Sequence, residues 1–360
     1  MAEQVTNYQC PACTGPLHFS AKTGKLQCDY CGRSYDVAVI EQLYADREKA
    51  AAGTEPQWDA SAAGGQWTEE EKARMRTYTC PSCGAELICD DTTAATSCPY
   101  CGNPTVIPGR FSGALKPDYV IPFRMDKAAA TEALKEYYRG KKLLPKEFAL
   151  QNHIEEIKGI YVPFWLFDGS ASADLSFLGT RVEMFRQGRD QVTVTRYFRV
   201  ARSGDISFRR VPADASSKMP DAHMDSIEPF RYADIKPFSF GYLPGFLADK
   251  YDVDAKTSSR RVNERIRAST VEAFTATVAG YATLTPQYTN IRLKQGEVKY
   301  ALLPVWLLST KWKGKNFLFA MNGQTGKLIG DLPVSWKKFW AYFFGISLPL
   351  IAIFLTIALH

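Results

Sequence analysis

The sequence predicts an α+β protein in three parts: two N-terminal zinc ribbons, an α+β domain with a duplicated strand–helix–strand unit, and one C-terminal transmembrane helix. Three observations carry that prediction. The pattern Cys-x2-Cys, fourteen residues, Cys-x2-Cys occurs twice in the first third of the chain. The segment Ile160-Tyr-Val-Pro163-Phe-Trp165-Leu166 returns as Ala301-Leu-Leu-Pro304-Val-Trp306-Leu307. From Phe339 to Leu359 no charge interrupts an apolar run. The expected boundaries are residues 7–36 for the first ribbon, 37–77 for a helix and flexible linker, 78–108 for the second ribbon, 112–334 for the α+β domain and 336–359 for the membrane helix.

The two cysteine sets are Cys10, Cys13, Cys28 and Cys31, then Cys80, Cys83, Cys98 and Cys101. Thiolates two residues apart grip one face of a tetrahedral metal, and a second pair completes the shell. Each pair lies in a turn marked by proline or glycine, as in Cys80-Pro81-Ser82-Cys83-Gly84 and Cys98-Pro99-Tyr100-Cys101-Gly102. Proline presets the turn, and glycine lets backbone amides swing toward the sulfurs. The stretch from Leu17 to Leu26 around Thr23-Gly24 reads as a hairpin carrying one cysteine pair at each end. Four protein ligands leave no open position for a water nucleophile, so the expected cofactor is structural Zn²⁺, two per chain. A module of about 25 residues cannot fold on its apolar surface alone, whereas zinc contributes on the order of 10–16 kcal/mol. Rubredoxin-like iron and disulfides are the alternatives. Cys89 is expected to be a small packed residue rather than a fifth ligand.

Between the ribbons, Val39, Ile40, Leu43 and Tyr44 mark one face of a short amphipathic helix, Val37 to Ala52. Gly53 to Gly65 reads as a flexible linker interrupted by Trp58, and Thr68-Glu-Glu-Glu71 as a capping box. Trp58 and Trp67 are expected to dock on a ribbon or on the main domain, with partner contact as the alternative.

In the main domain, Tyr119-Val-Ile-Pro122-Phe-Arg-Met-Asp126-Lys127 is matched with Tyr242-Leu-Pro244-Gly-Phe-Leu-Ala-Asp249-Lys250. Helices are expected over Ala128 to Arg139 and within Lys256 to Val278. Period-two runs at Arg181–Phe185, Gln191–Val200 and Ile206–Val211, separated by Gly188 and Gly204, predict an antiparallel meander. Asn322-Gly323-Gln-Thr-Gly326 predicts a hairpin with Asn-Gly turn chemistry. Trp165 and Trp306 are expected in the core.

The C-terminal run would span about 31 Å as a helix, matching the hydrocarbon thickness of a bilayer. Trp336, Trp340 and Tyr342 sit where interfacial aromatics belong, and Pro349 is tolerable in a membrane helix. A buried core helix is the alternative. Lys337 and Lys338 abut the run and only His360 follows it, so the positive-inside rule keeps the preceding chain cytoplasmic, as a tail anchor. The polar start Met-Ala-Glu-Gln-Val-Thr-Asn is no signal peptide.

Charge and missing motifs narrow the function. The formal charge is +6, and eight thiolates with two Zn²⁺ lower it by four, which leaves no strongly basic nucleic-acid footprint. No Gly-x4-Gly-Lys-Ser/Thr occurs, which argues against an ATPase or helicase motor. No His-Glu-x2-His, Gly-x-Ser-x-Gly or Gly-x-Gly-x2-Gly appears. Glu155, Glu156, Asp252 and Asp254 are read as solvent-facing or capping, and the chain as no enzyme.

The segments Ile160–Asp168, Met224-Asp-Ser-Ile-Glu-Pro-Phe230, Leu243–Asp252 and Met321-Asn-Gly-Gln-Thr-Gly-Lys327, between twin ribbons and a membrane helix, resemble a family common in Gram-positive bacteria. Its members are membrane-anchored tandem zinc-ribbon proteins, often labelled PriA-like or TFIIB-type zinc-ribbon proteins. The resemblance implies the eight metal ligands named above, and a role beside phage-shock-type or flotillin-like proteins in membrane stress. The expected function is a membrane-anchored cytoplasmic adaptor whose ribbons meet protein partners at the lipid bilayer. The alternative is a nucleic-acid-binding ribbon protein tethered to the membrane, for which Lys22, Lys25, Arg33 and Tyr30 offer a thin basic and aromatic surface. An uncharacterised enzyme in the α+β domain is a further alternative.

Overall fold

Two kinds of β-structure make up the molecule: a small three-stranded sheet around the first cysteine set and a large sheet that takes in the rest. The structure is a computed structural model describing residues 8, 10–12, 17–21, 23–28, 30–42, 58–93, 95, 97–104, 106–110, 114–151 and 156–358. Cys13, Lys22, Leu43, Tyr44, Glu155 and His360, and the linker before Trp58, lie outside the described residues. The chain falls into two units, residues 1–57 with 170–206 and 269–294, and residues 58–169 with 207–268 and 295–360.

In the first unit, β1 (Leu17–Ser20), β2 (Lys25–Cys28) and β3 (Ser34–Tyr35) form their own sheet. The β1–β2 hairpin pairs Leu17 with Cys28 and Ser20 with Lys25, and Gly24 closes it at φ 65°. That left-handed backbone is available to glycine at little cost. Residues 37–42 are helical, with Ile40 buried and Val39 exposed.

From residue 58 the elements follow in chain order through both units: β4 (Trp58–Asp59) and α1 (Glu69–Ala73) lead into β5 (Met75–Thr79), β6 (Glu86–Asp90) and β7 (Ile107–Arg110). Next come β8 (Tyr119–Val120), α2 (Lys127–Tyr138), α3 (Lys146–Gln151) and the long strands β9 (Lys158–Gln187) and β10 (Asp190–Asp214). After α4 (Asp221–Ser226), β11 (Lys236–Pro237), β12 (Leu247–Asp249) and α5 (Ala255–Ala276), the chain finishes with β13 (Thr283–Leu293), β14 (Gly296–Trp312), β15 (Lys315–Asn322), β16 (Leu328–Gly330) and α6 (Trp336–Ala358). The central path of the sheet runs β11-β8-β14-β9-β12-β6-β5-β7.

Its axis is the antiparallel pair β9–β14, which places the two Pro-x-Trp-Leu segments side by side, Pro163 opposite Leu302 and Pro304 opposite Tyr161. Alternation sends Ile160, Val162, Phe164, Leu303 and Val305 into one core. Trp306 and Leu308 enter another, with Leu134, Phe148 and Phe319. Residues 160–167 and 300–308 are buried throughout, as expected for strands covered on both faces.

Several sequence expectations change here. The second ribbon is not walled off from the α+β domain, because β6 pairs antiparallel with β12, Ile88 opposite Ala248 and Leu87 opposite Asp249. The segment from Trp58 is no loose linker either. β4 pairs with β14, Trp58 Nε1 donates to Asn263 Oδ1 at 2.9 Å, and its ring meets Phe167 edge-on at 5.1 Å. Gly169 makes room, since a Cβ there would lie 2.9 Å from that indole. Trp67 packs edge-on against Phe238, and the capping box on Thr68 and Glu71 is present.

The upstream match shifts by five residues. Tyr242 ends a 3₁₀ turn, Phe240–Tyr242, whereas the strand is Leu247–Asp249. β8 lies parallel to β14 with Tyr119 opposite Ala301, and β12 parallel to β9 with Leu247 opposite Ile160. Asp126 follows β8 and Asp254 follows β12. Both cap a helix, accepting from Thr257 N–H at 2.6 Å and Ala129 N–H at 2.8 Å. The bonds around the axis are reciprocal. Trp165 Nε1 donates to Val253 O at 2.9 Å and Trp306 Nε1 to Met125 O at 3.2 Å. Ala215 N–H donates to Pro163 O at 2.9 Å and Gly323 N–H to Pro304 O at 2.8 Å.

Two turns also differ. Gly204 is no turn, because β10 runs straight through it, and a Cβ there would meet the Phe274 ring at 3.6 Å, an ordinary contact. The expected meander is a single long hairpin. At the Asn322 turn the left-handed residue is Gly326 (φ 77°), while Asn322 Oδ1 accepts the N–H groups of Gln324 and Thr325 at 2.9 and 3.0 Å.

In the first unit, β9 pairs with β13 from Ala171 opposite Leu293 to Thr180 opposite Thr283. The start of α6 is tied down by Ser335 N–H to Leu143 O at 2.8 Å and Lys338 Nζ to Leu144 O at 2.6 Å. Trp336–Ile357 is long and apolar enough to cross a membrane, and none of its described side chains is buried.

Candidate metal centres

Three cysteine turns share one geometry. The N–H groups of Cys28, Cys80 and Cys98 donate to the carbonyls of Arg33, Ala85 and Asn103 at 2.9, 2.9 and 2.8 Å. Four residues after each cysteine, Gly32, Gly84 and Gly102 donate back to its carbonyl at 2.9, 2.9 and 3.0 Å. These glycines take φ of 71°, 69° and 70°, the left-handed region that a Cβ disfavours. In the Cys10 turn the corresponding residue is Thr14, outside the described residues.

The turns converge their sulfurs. Cys80, Cys83, Cys98 and Cys101 hold their Sγ atoms within 4.8 Å of one another, and Cys10, Cys28 and Cys31 do the same, Cys13 being undescribed. Cys80–Cys101, Cys83–Cys98 and Cys10–Cys31 stand 3.6 Å apart. A tetrahedral zinc with Zn–S bonds of about 2.3 Å puts its sulfurs about 3.8 Å apart. A disulfide needs about 2.05 Å. The spacing fits a shared metal and not a cross-link. The protein also supplies amide donors to the sulfurs: Ser82 and Cys83 N–H to Cys80, Ala85 N–H to Cys83, and Tyr100 and Cys101 N–H to Cys98. Burial opposes ionisation at Cys80, but these donors and the neighbouring thiols bring it down to about 7. Burial holds Cys83 up at about 11 and raises Cys98 further. A divalent cation offsets the burial of several thiolates, which is the service zinc would give here.

Cys89 stays outside both clusters. It is buried, its Sγ points to Thr93 O at 3.0 Å, and burial pushes the thiol up to about 11. Asp252 accepts from Ser217 N–H and Oγ at 2.7 and 2.6 Å and pairs with Lys218, and Asp254 caps α5. Among the described residues, the two sulfur groups are the sets of His, Cys, Asp or Glu atoms that come together at ligand spacing.

The modules sit at a constant offset of 70 residues: Cys10 and Cys80, Tyr8 and Tyr78, Leu17 and Leu87, Tyr30 and Tyr100. Tyr8 O accepts from Leu17 N–H as Tyr78 pairs with Leu87, so β1 corresponds to β6. Beyond β1 lies β2 of its own hairpin, whereas beyond β6 lies β12. The knuckle tyrosines differ accordingly. Tyr100 is 6% exposed and donates to Asp249 Oδ2 at 2.7 Å, an oxygen that also accepts from Ser216 Oγ at 2.6 Å. Burial drives Asp249 up to about 7. Tyr30 is 78% exposed, with Phe19 and Val39 also in solvent. Sequence reasoning missed the Tyr100–Asp249 clasp. The repeated tyrosine between the last two cysteines was its available signal.

Residues 9–38, which hold the first cysteine module, match the Trm112p-like protein family. Over 343 residues the chain is 33% identical to the Bacillus subtilis (strain 168) protein named "Uncharacterized protein YdjG", spanning 95% of this chain and 94% of the relative. The chain belongs to the YdjG family. No solved structure matches it. Because the alignment with YdjG runs nearly end to end, this YdjG-family fold couples both cysteine modules, the large sheet and the apolar helix in one chain. It is a zinc-binding type of protein, with two clusters suited to the metal.

Proposed function

We propose that the chain is a membrane-anchored cytoplasmic adaptor, not an enzyme, in which the second ribbon is scaffold and the first ribbon meets protein partners. The observation that carries this is the contrast between the two knuckle tyrosines. Where a ribbon is built into the sheet, its tyrosine is buried on Asp249. Where a ribbon keeps its own three strands, the same tyrosine stands in solvent beside Phe19 and Val39. An exposed aromatic on a metal-rigidified turn loses little freedom on binding, which suits an anchor residue. α6 supplies the anchor, with Lys337 and Lys338 at its cytoplasmic end. The reciprocal bonds of Trp165 and Trp306 support reading the sheet as two copies of one strand–helix–strand unit. Flotillin-like and phage-shock-type proteins are the partners to seek first.

The test is co-purification from detergent-solubilised membranes, with and without nuclease, of the parent and Tyr30→Ala. The reading expects specific proteins recovered regardless of nuclease, lost in Tyr30→Ala while zinc content is unchanged. Nucleic acid in the eluate, or partners lost after nuclease, would move the first ribbon to nucleic acid.

A further inference from the structure

Beyond Thr180, β9 has left β13 behind, and Arg181–Gln187, exposed throughout, continue with β10 as a two-stranded ribbon in which Val192, Val194 and Phe198 are half-buried. Gly188, at φ 67°, turns the chain at the tip. This ribbon carries large apolar groups in water: Met184 is 66% exposed, Tyr197 67% and Phe185 49%. A bare two-stranded hairpin gains nothing in folding from such residues. Its charge is one-sided. Residues 181–199 hold five arginines against Glu183 and Asp190. Arg196 pairs with Glu183 at 3.1 Å, and Arg181 donates to Gly280 O, whereas Arg186, Arg189 and Arg199 project into solvent.

We propose that the tip of this hairpin docks on an anionic lipid surface, with Met184 and Phe185 entering the headgroup region and Arg186 and Arg189 meeting lipid phosphates. The inference rests on the membrane-anchor reading, which tethers the chain to one membrane. Apolar and aromatic residues interleaved with arginine match an interface that is apolar below and anionic above. Each basic residue beside such a surface is worth roughly a factor of five. Two exposed tip arginines with two apolar residues suffice for a reversible contact once the chain is tethered.

The experiment places benzoylphenylalanine at position 185 (Phe185 replaced) in the full chain. That chain is reconstituted in nanodiscs of phosphatidylcholine, alone or mixed with phosphatidylglycerol, and photocrosslinked adducts are identified by mass spectrometry. The proposal expects lipid adducts in the phosphatidylglycerol discs, cut at least about tenfold by Arg186→Glu with Arg189→Glu. Equal lipid yield in both discs, no lipid adduct in retained chain, or adducts transferred to an added single-stranded oligonucleotide would each overturn it. A chain not retained in discs contradicts the anchor reading instead. Flotation of that chain with phosphatidylglycerol vesicles, parent against the double arginine variant, then decides the hairpin separately.

Discussion

At Tyr100 the burial of a phenol is offset by one acceptor, and that acceptor is itself a buried acid. Asp249 Oδ2 takes bonds from Tyr100 and Ser216, yet burial still holds the carboxyl up near 7. An acid whose folded pKa lies above its usual value of about 3.9 binds more protons folded than unfolded, so its contribution falls as pH rises from about 4 to about 7. Asp249→Asn keeps an acceptor for Tyr100 and removes that penalty. The stability gap between Asp249→Asn and the parent should therefore widen with pH up to about 7 and stay level above it, read from urea midpoints at a series of pH values with zinc present. A gap constant from pH 5 to 8 would show Asp249 ionised throughout. The knuckle glycines give a second residue-level prediction. Nothing stands within 4 Å of a Cβ at Gly84, so Gly84→Ala meets only its left-handed φ of 69°. It should cost about 1–2 kcal/mol, measured by denaturant unfolding.

Among the elements, the strands that carry chemistry were readable and their neighbours were not. The cysteine spacing announces each ribbon because four ligands need those turns. Tyr30 and Tyr100, however, occupy the same place in one motif and meet opposite environments. That difference depends on β12, more than a hundred residues downstream of the knuckle, filling the slot that β2 fills in the first ribbon. Local pattern carries no information on which strand completes a sheet. The same holds for Gly204, whose glycine signals a turn in isolation but lies inside the continuous strand β10. The two Pro-x-Trp-Leu segments pair with each other at the centre of the sheet, whereas of the residues matched upstream Tyr119 lies in β8 and Tyr242 in a 3₁₀ turn. If the two tryptophan clasps are equivalent, Trp165→Phe and Trp306→Phe should each lose about 1 kcal/mol with the hydrogen bond. Markedly unequal losses in thermal or urea unfolding would say that only one clasp matters.

On the scale of the whole molecule, the two metal modules have different consequences for the same chemistry. The second shares a hydrophobic core with the central strands, where Cys80, Leu87 and Tyr100 pack with Ile160, Val162 and Leu303. The first folds around its own three strands. The central claim is this division between scaffold and partner-facing ribbon. Its most direct test is the urea midpoint of the tryptophan-reported transition, Trp165 and Trp306 both being buried in the sheet, in Cys31→Ser and Cys101→Ser compared with the parent. The predicted result is an unchanged midpoint in Cys31→Ser and a loss of several kcal/mol in Cys101→Ser. Equal losses in both, or an unchanged midpoint in Cys101→Ser, would contradict it.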